Sequence, residues 1–478
     1  MVQKLRDFIE NDQEYFIALI AGIRLTGKTT ILRQLQKYYP DAVYIDLSRS
    51  EDGYGDIVNS FLNNPTGLLL LDEISYMEDY ETYCQALFDI RGNSPVKFKI
   101  IITGSSSAHI VKLSNSKLGA RAKLFRLPLL TFIEYLYFIG RIDSYSDYDN
   151  INGSDFTDYL QLKDLDKSDA SALSITFDNN YFKALYDEVD NSNRKSGVVR
   201  SITDLDTRDL YNMMNLIAYK LSELRSYDLT LNPRVGTQER AHMSRLGTNI
   251  DLKKIDLSDA LISKSVREMF GVSAADAGRL LTFMLYSGLT NIEYTYEISG
   301  FSPFDENIGA ADIIHLLQNR SSDTVLERVF RSVSICLNSP LFYTRIGRDI
   351  LQRFHVDQNF LFQGEIMGKM LELYVRGAIS AYNIETVLTS NKLRYSKTTE
   401  VDIWNPDYNL LCEVTITNKD KRDISICKYY KNINYIRVCS SREEDCFTGN
   451  FYFVPYARLC CMIDTGDILK LAKTTISA

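Results

Sequence analysis

Gly22-Ile-Arg-Leu-Thr-Gly27-Lys28-Thr29 is the stretch of this chain that leaves the fewest folds open. It matches the spacing G-x-x-x-x-G-K-[ST], which arises by chance in a chain of this size on the order of once in a hundred from residue frequencies. Its context is as restrictive as its letters. The apolar run 15–21 (YFIALIA) precedes it, as for a buried parallel strand, and Ile31, Leu32 and Leu35 mark one face of a helix after it. Glycines permit the tight loop, and the loop turns backbone N–H groups toward an anion at the positive end of that helix. The pattern predicts a nucleotide phosphate site built from Gly22, Arg24, Thr26, Gly27, Lys28, Thr29 and Thr30. Lys28 would neutralise the β- and γ-phosphates, and the Thr29 hydroxyl would ligate Mg²⁺.

A second motif, residues 68–73 (LLLLDE), is an apolar strand ending in two acids. Asp72 at the strand's carboxyl end would hold the Mg²⁺ shell across from the phosphate loop. Glu73 would polarise the attacking water. A third strand-like run, 98–103 (FKIIIT), leads into Gly104-Ser105-Ser106-Ser107, and Ser105 at that tip would orient water and report on the γ-phosphate. With 42–47 (AVYIDL), these runs alternate with helix-length segments over the first 140 residues, which predicts a parallel sheet covered on both faces.

Composition narrows the class. The 478 residues predict about three folded units, and 45% hydrophobic with 24% charged residues is the balance of a folded globular chain. No window approaches the ~18 consecutive apolar residues of a membrane helix, and the charged first residues lack the apolar core of a signal peptide. A cytoplasmic protein with no membrane contact is expected. The eight cysteines form no C-x-x-C and read as reduced thiols. Four scattered histidines do not favour a zinc or iron centre. A net charge of −8 gives no global attraction to polyanions, so nucleic-acid contact would need a local basic surface.

Four regions are expected: 1–140, 141–240, 241–362 and 363–478. Residues 141–170 hold eight aspartates and read as a solvated insertion or interdomain segment. Between about 245 and 300, two amphipathic helices (Leu257, Leu261, Val266, Phe270; then Leu280, Leu281, Met284, Leu285) meet at Gly271 and precede NIEYTYEI. This resembles a winged helix-turn-helix, a possible DNA-binding unit, with a helical lid as the alternative. Residues 364–440 read helix, strand, strand, strand, helix, strand, with Glu372 on the first helix, Asp402 in EVDIW and Glu413 in LLCEVTIT. The order resembles the PD-(D/E)xK nuclease core, whose acids hold Mg²⁺ and activate water. Thr415 stands in the lysine position, which favours a degenerate nuclease fold used for binding or docking.

GIRLTGKTT, LLLLDEIS, IIITGSSS and LGARAKLFRLPLLTFIEYL together resemble the prokaryotic AAA+ family that joins an N-terminal ATPase to a C-terminal restriction-endonuclease-like domain. The resemblance is good over 1–140 and fair over about 363–440. Pro128-Leu-Leu-Thr-Phe-Ile-Glu134-Tyr135-Leu136 carries one residue more than the family's Pro-Leu-[ST]-Phe-x-Glu-[FY]-Leu signature. The resemblance implies an α/β multidomain chain with an AAA+ ATPase domain, a helical or winged-helix middle and a nuclease-like C-terminal domain. It implies ATP and Mg²⁺ as cofactors, Arg121 as an arginine finger, and homo-oligomerisation. The leading expectation is an ATPase that drives or gates later domains acting on DNA or a protein partner. A nucleotide-gated signalling or defence switch with slow turnover, and an ATPase-controlled nuclease, are the alternatives.

Overall fold

The computed structural model describes residues 1–23, 26–49, 55, 67–76, 84, 98–104, 107–115, 122–165, 285–297, 330–342, 344, 358–362, 364–381, 389–394, 400–405, 410–416, 434–438, 446–448 and 451–474. The chain forms two compact units. The first comprises Met1–Leu129, Ala170–Tyr211 and Arg279–Leu289; the second comprises Leu130–Asp169, Asn212–Gly278 and Thr290–Ala478.

The first unit contains helix α1 (Val2–Asn11), strand β1 (Ile17–Ala21), helix α2 (Lys28–Tyr38), β2 (Val43–Asp46), β3 (Leu68–Asp72), β4 (Lys99–Thr103), α3 (Ser107–Asn115) and β5 (Ala122–Arg126). All five strands are parallel, in the order β2-β3-β4-β1-β5. Every position of β1 and β3 is buried, which is why both read as unbroken apolar runs. Successive side chains go to opposite faces. Ala18, Ile20, Leu68, Leu70 and Ile101 pack on Ile31, Leu32 and Leu35 of α2 and on Leu5 and Phe8 of α1. Leu19, Leu69, Leu71, Ile100 and Ile102 pack on Ile110, Val111 and Leu113 of α3. Burial of such a side chain stabilises by about 1.5–3 kcal/mol, so this two-sided core is what fixes the strand ends that carry the polar residues. Because β4 lies between β3 and β1, the tip of β4 stands between the acidic strand and the phosphate loop.

The second unit contains α4 (Phe132–Phe138), α5 (Gly153–Gln161), β6 (Thr290–Glu297), β7 (Phe330–Leu337), α6 (Gly364–Ser380), β8 (Thr389–Arg394), β9 (Glu400–Asn405), β10 (Leu410–Glu413), β11 (Asn434–Val438), β12 (Cys446–Thr448), β13 (Phe451–Val454), α7 (Tyr456–Thr465) and α8 (Asp467–Thr474). Its mixed sheet runs β12-β13-β11-β10-β9-β8-β6-β7. β9 is antiparallel to β8 and β10, whereas β10 and β11 are parallel. The helix expected at DISICKYYKNI lies outside the described residues. Among the described residues, no helix is long and apolar enough to cross a membrane.

Two expectations are corrected here. NIEYTYEI is a strand, but not a wing: β6 pairs antiparallel with β7 and parallel with β8 inside the eight-stranded sheet, with Ile292, Glu293 and Thr295 buried. The helices expected before it lie outside the described residues up to Leu285. Residues 141–165 are not a solvated insertion either. Ile142, Tyr148, Ile151, Phe156, Tyr159 and Leu160 are buried. The aspartate count hid the spacing of Phe156, Tyr159 and Leu160, which puts all three on one face of α5. Asp155 itself closes a capping box with Asn152 at the start of that helix.

The structure also gives the register of the lengthened signature. Thr131 is the N-cap of α4 and Glu134 its third residue, joined reciprocally in a capping box, so the extra residue falls before Thr131. The two remaining early amides of α4 are also satisfied. Phe132 N–H donates to the Tyr374 hydroxyl (2.7 Å), and Ile133 N–H to Asp464 (3.1 Å).

Candidate functional site

The phosphate loop begins where β1 ends. Gly27 adopts φ 89°, the left-handed conformation that glycine takes without penalty, and from it α2 starts at Lys28. Gly22 is required for a different reason. A Cβ there would meet Leu127 Cβ at 2.9 Å and Leu127 O at 3.1 Å, where β5's successor residue crosses behind the loop. Thr26 Oγ1 donates to Ile23 O (2.7 Å), folding the loop on itself. The Lys28 ammonium is buried and donates to Gly22 O (2.6 Å) and Ile23 O (2.9 Å). Thr29 and Thr30 are exposed on the first turn of α2. Arg24 lies outside the described residues.

Asp72 ends β3 and is 1% exposed. Its carboxylate is held from both neighbouring strands. Thr103 Oγ1, at the tip of β4, donates to Oδ1. The Tyr44 hydroxyl, from β2, donates to Oδ2 at 2.8 Å, and Glu73 N–H donates to Oδ1 at 3.1 Å. Tyr44 pairs in register with Leu70, two residues before Asp72, so its ring leans along the strand on the face that α2 covers. The Arg33 guanidinium of α2 sits 3.5 Å above that ring, in cation–π geometry. Burial, and then the hydrogen bond to Asp72, push the Tyr44 hydroxyl well above its ordinary pKa, so it stays a donor.

Glu73 follows with φ 59°, a left-handed backbone on a residue that does not favour it. The chain turns there into a single 3₁₀ turn, Ile74–Tyr76, whose Tyr76 N–H returns to Glu73 O. Strained backbone of this kind concentrates at functional positions.

Of the residues expected at this site, Gly22, Thr26, Gly27, Lys28, Thr29, Asp72 and Glu73 converge in the first unit, and Thr30 is on the same turn. Ser105 and Arg121 lie outside the described residues. At the tip of β4 it is Thr103, the strand's last position, that faces Asp72. Tyr44 was missed. A tyrosine inside AVYIDL could have pointed to it, since a partly buried tyrosine hydroxyl ordinarily has a hydrogen-bond partner.

The donor set suits a nucleotide with Mg²⁺. A buried carboxylate, a threonine hydroxyl and a lysine are hard, charge-matched groups for Mg²⁺ and phosphate. Among the described residues no cluster of three or more His, Cys, Asp or Glu side chains is arranged to hold a metal by itself. Mg²⁺ on a nucleotide needs no such cage, because phosphates and waters supply most of its ligands.

Glu372, Asp402 and Glu413, the acids expected of a nuclease-like core, lie among the described residues of the second unit. Arg376 bridges Glu293 (2.7 Å) and Glu372, and Lys369 is 3.2 Å from Glu372. A third cation, also upstream of Asp402, is near Glu372. Lys392 on β8 lies 3.9 Å from Glu372, whereas the expected position, Thr415, is half-buried on the far side of β10 in sequence. Lys419, Lys421 and Lys428 lie outside the described residues. Asp402 accepts from Val414 N–H (2.8 Å). Burial, then Glu372, raise its carboxyl, against the opposing pull of Lys392.

Residues 14–136 match the family model of the AAA domain. With the phosphate loop and the five-stranded parallel order described above, that stretch is an AAA-family P-loop ATPase domain. The chain is also similar to the Thermotoga maritima RuvB Holliday junction branch migration motor, at 14% identity over 60% of this chain and 87% of that one, TM-score 0.26. It is similar to the replication initiator DnaA bound to AMPPCP and single-stranded DNA, at 13% identity over 59% and 92%, TM-score 0.26. A katanin studied for its self-assembly is 16% identical over 44% of this chain and 66% of that one, TM-score 0.25, so this chain spans just under two thirds of it. No curated protein matches the sequence.

Proposed function

We propose that the chain hydrolyses ATP with Mg²⁺ at the first unit's phosphate loop, and that the cycle drives or gates the regions that follow it on DNA or on a protein partner. The observation that carries this reading is the placement of Asp72 and Glu73. The first is a buried carboxylate held by donors from two strands, and the second is an acid turned out of the strand end by a left-handed backbone. A binding site alone needs only the first. Mg²⁺, when bound, would offset the charge developing on the phosphates. The chain's residues would do the rest: the loop amides and Lys28 hold the phosphates, Thr29 and Asp72 orient the metal's shell, and Glu73 accepts a proton from the attacking water.

The test separates binding from turnover. Lys28→Ala should weaken ATP binding and hydrolysis together. Glu73→Gln should bind ATP as the parent does and lose about 10²–10⁴-fold in turnover, the usual contribution of a general base. Undiminished steady-state hydrolysis by Glu73→Gln would remove Glu73 as the base and favour a slowly turning nucleotide switch.

A further inference from the structure

Two hydroxyls from the neighbouring strands grip Asp72 from opposite sides, besides the N–H of Glu73. Thr103 on β4 occupies Oδ1 and Tyr44 on β2 occupies Oδ2, so rotation of the carboxylate about its Cβ–Cγ bond breaks one bond or the other. Oδ1 also accepts from Glu73 N–H, so Oδ2 is the oxygen that keeps a further lone pair for a metal or a metal-bound water. Tyr44 is itself held in place. Its ring lies under the Arg33 guanidinium, and Arg33 belongs to α2, the helix whose first residues are Lys28 and Thr29. A chain of contacts therefore runs from the phosphate-loop helix through Arg33 and the Tyr44 ring to the acid on the second strand away.

We propose that Tyr44 is a positioning residue for the nucleotide's Mg²⁺: its hydroxyl aims the Asp72 carboxylate at the metal's shell, and Arg33 keeps the ring in line with the helix that presents the phosphates. This rests on reading the site as an ATPase. Partners of this kind, one bond removed from a metal, change metal affinity or activity by about 10–100-fold when lost. Tyr44 enters no bond-making step, so its effect belongs to metal affinity rather than to the rate at saturation.

Tyr44→Phe tests this in the full chain, because it keeps the ring and the Arg33 contact and deletes only the donor. Binding of the non-hydrolysable analogue AMPPNP is measured by calorimetry in Mg²⁺ and in EDTA, beside a thermal melt, and ATP hydrolysis is followed against Mg²⁺ concentration. Affinity in EDTA should match the parent, the gain in affinity on adding Mg²⁺ should shrink by about 10-fold, and the Mg²⁺ needed for half-maximal hydrolysis should rise by about 10-fold. The rate at saturating Mg²⁺ should stay within about 3-fold, less than the loss of a group acting in the chemical step. Thr103→Val, of similar shape, should lower the Mg²⁺-dependent gain in the same way. An unchanged gain in Tyr44→Phe, or an equal loss in Mg²⁺ and EDTA, would overturn the inference. A parent protein that binds AMPPNP without hydrolysing ATP would instead overturn the ATPase reading and leave the Mg²⁺-dependent binding comparison standing.

Discussion

Glu73 carries a conflict between backbone and side chain. A left-handed conformation costs an ordinary residue about 1–2 kcal/mol that glycine does not lose, and Glu73 sits at φ 59°. Glu73→Gly should therefore raise the thermal midpoint, provided the entropy of the freer unfolded chain does not cancel the gain, and it should abolish turnover. Glu73→Gln, which leaves the backbone requirement untouched, should abolish turnover with no such rise. Melting both variants without nucleotide checks the difference. A midpoint in Glu73→Gly at or below that of Glu73→Gln would mean that the turn imposes no usable strain on residue 73.

At the scale of elements, α4 is tied to α6 and α7 of its own unit by a polar clasp. Asp464, half-buried, accepts from the Tyr374 hydroxyl (2.6 Å) and from Ile133 N–H. Burial raises its carboxyl to about 7, against the pull of those hydrogen bonds, and Glu134 adds to the rise. The unfolded value lies near 3.9, so between roughly pH 4 and 7 the folded chain holds the extra proton. Stability from this group is thus present at low pH and lost as pH rises through that window. Asp464→Asn should shrink the difference in unfolding free energy between pH 5 and pH 8, measured by urea denaturation; Asp402, also raised by burial, keeps part of it. An unchanged difference would show that Asp464 is ionised in the fold throughout.

The elements themselves differ in how far the residues announced them. β1, β3 and β4 were readable because parallel strands buried on both faces are continuous in sequence, and the phosphate loop because its chemistry demands fixed spacing. α5 was hidden because its apolar residues are three in number and its aspartates many, although only the apolar ones set the packing. The approach of Lys392 to Glu372 was not legible because it links β8 to α6 across the chain. Tyr44 and Thr103 share that cause: their common partner, Asp72, is contributed by a strand distant from both in sequence. Contacts that link separate strands leave no local pattern.

At the scale of the whole molecule, Arg121 is proposed as a finger supplied by a neighbouring copy. Hydrolysis per chain should then rise with protein concentration as assemblies form. Arg121→Ala should remove that rise, an effect of about 10³-fold or more in related chemistry, while ATP affinity stays near that of the parent. Rate measured across a dilution series beside mass in solution checks this, and full specific activity in an isolated monomer would rule it out.

The strand order has one more effect, on the sequence in which the protein can be made. β1 pairs with β4 and β5 and with no earlier strand. A ribosome that has released the phosphate loop and β2 has still to add β3 and β4 before Ile17 can meet Ile100. Until then β2 and β3 have each other, and the loop's own strand has no neighbour to hydrogen-bond. The nucleotide site is thus complete only after its most distant piece in sequence has emerged, and closing it waits on a long-range pairing of the kind that slows folding. Newly made chains pass through a stage in which the loop exists as sequence and cannot yet exist as a site.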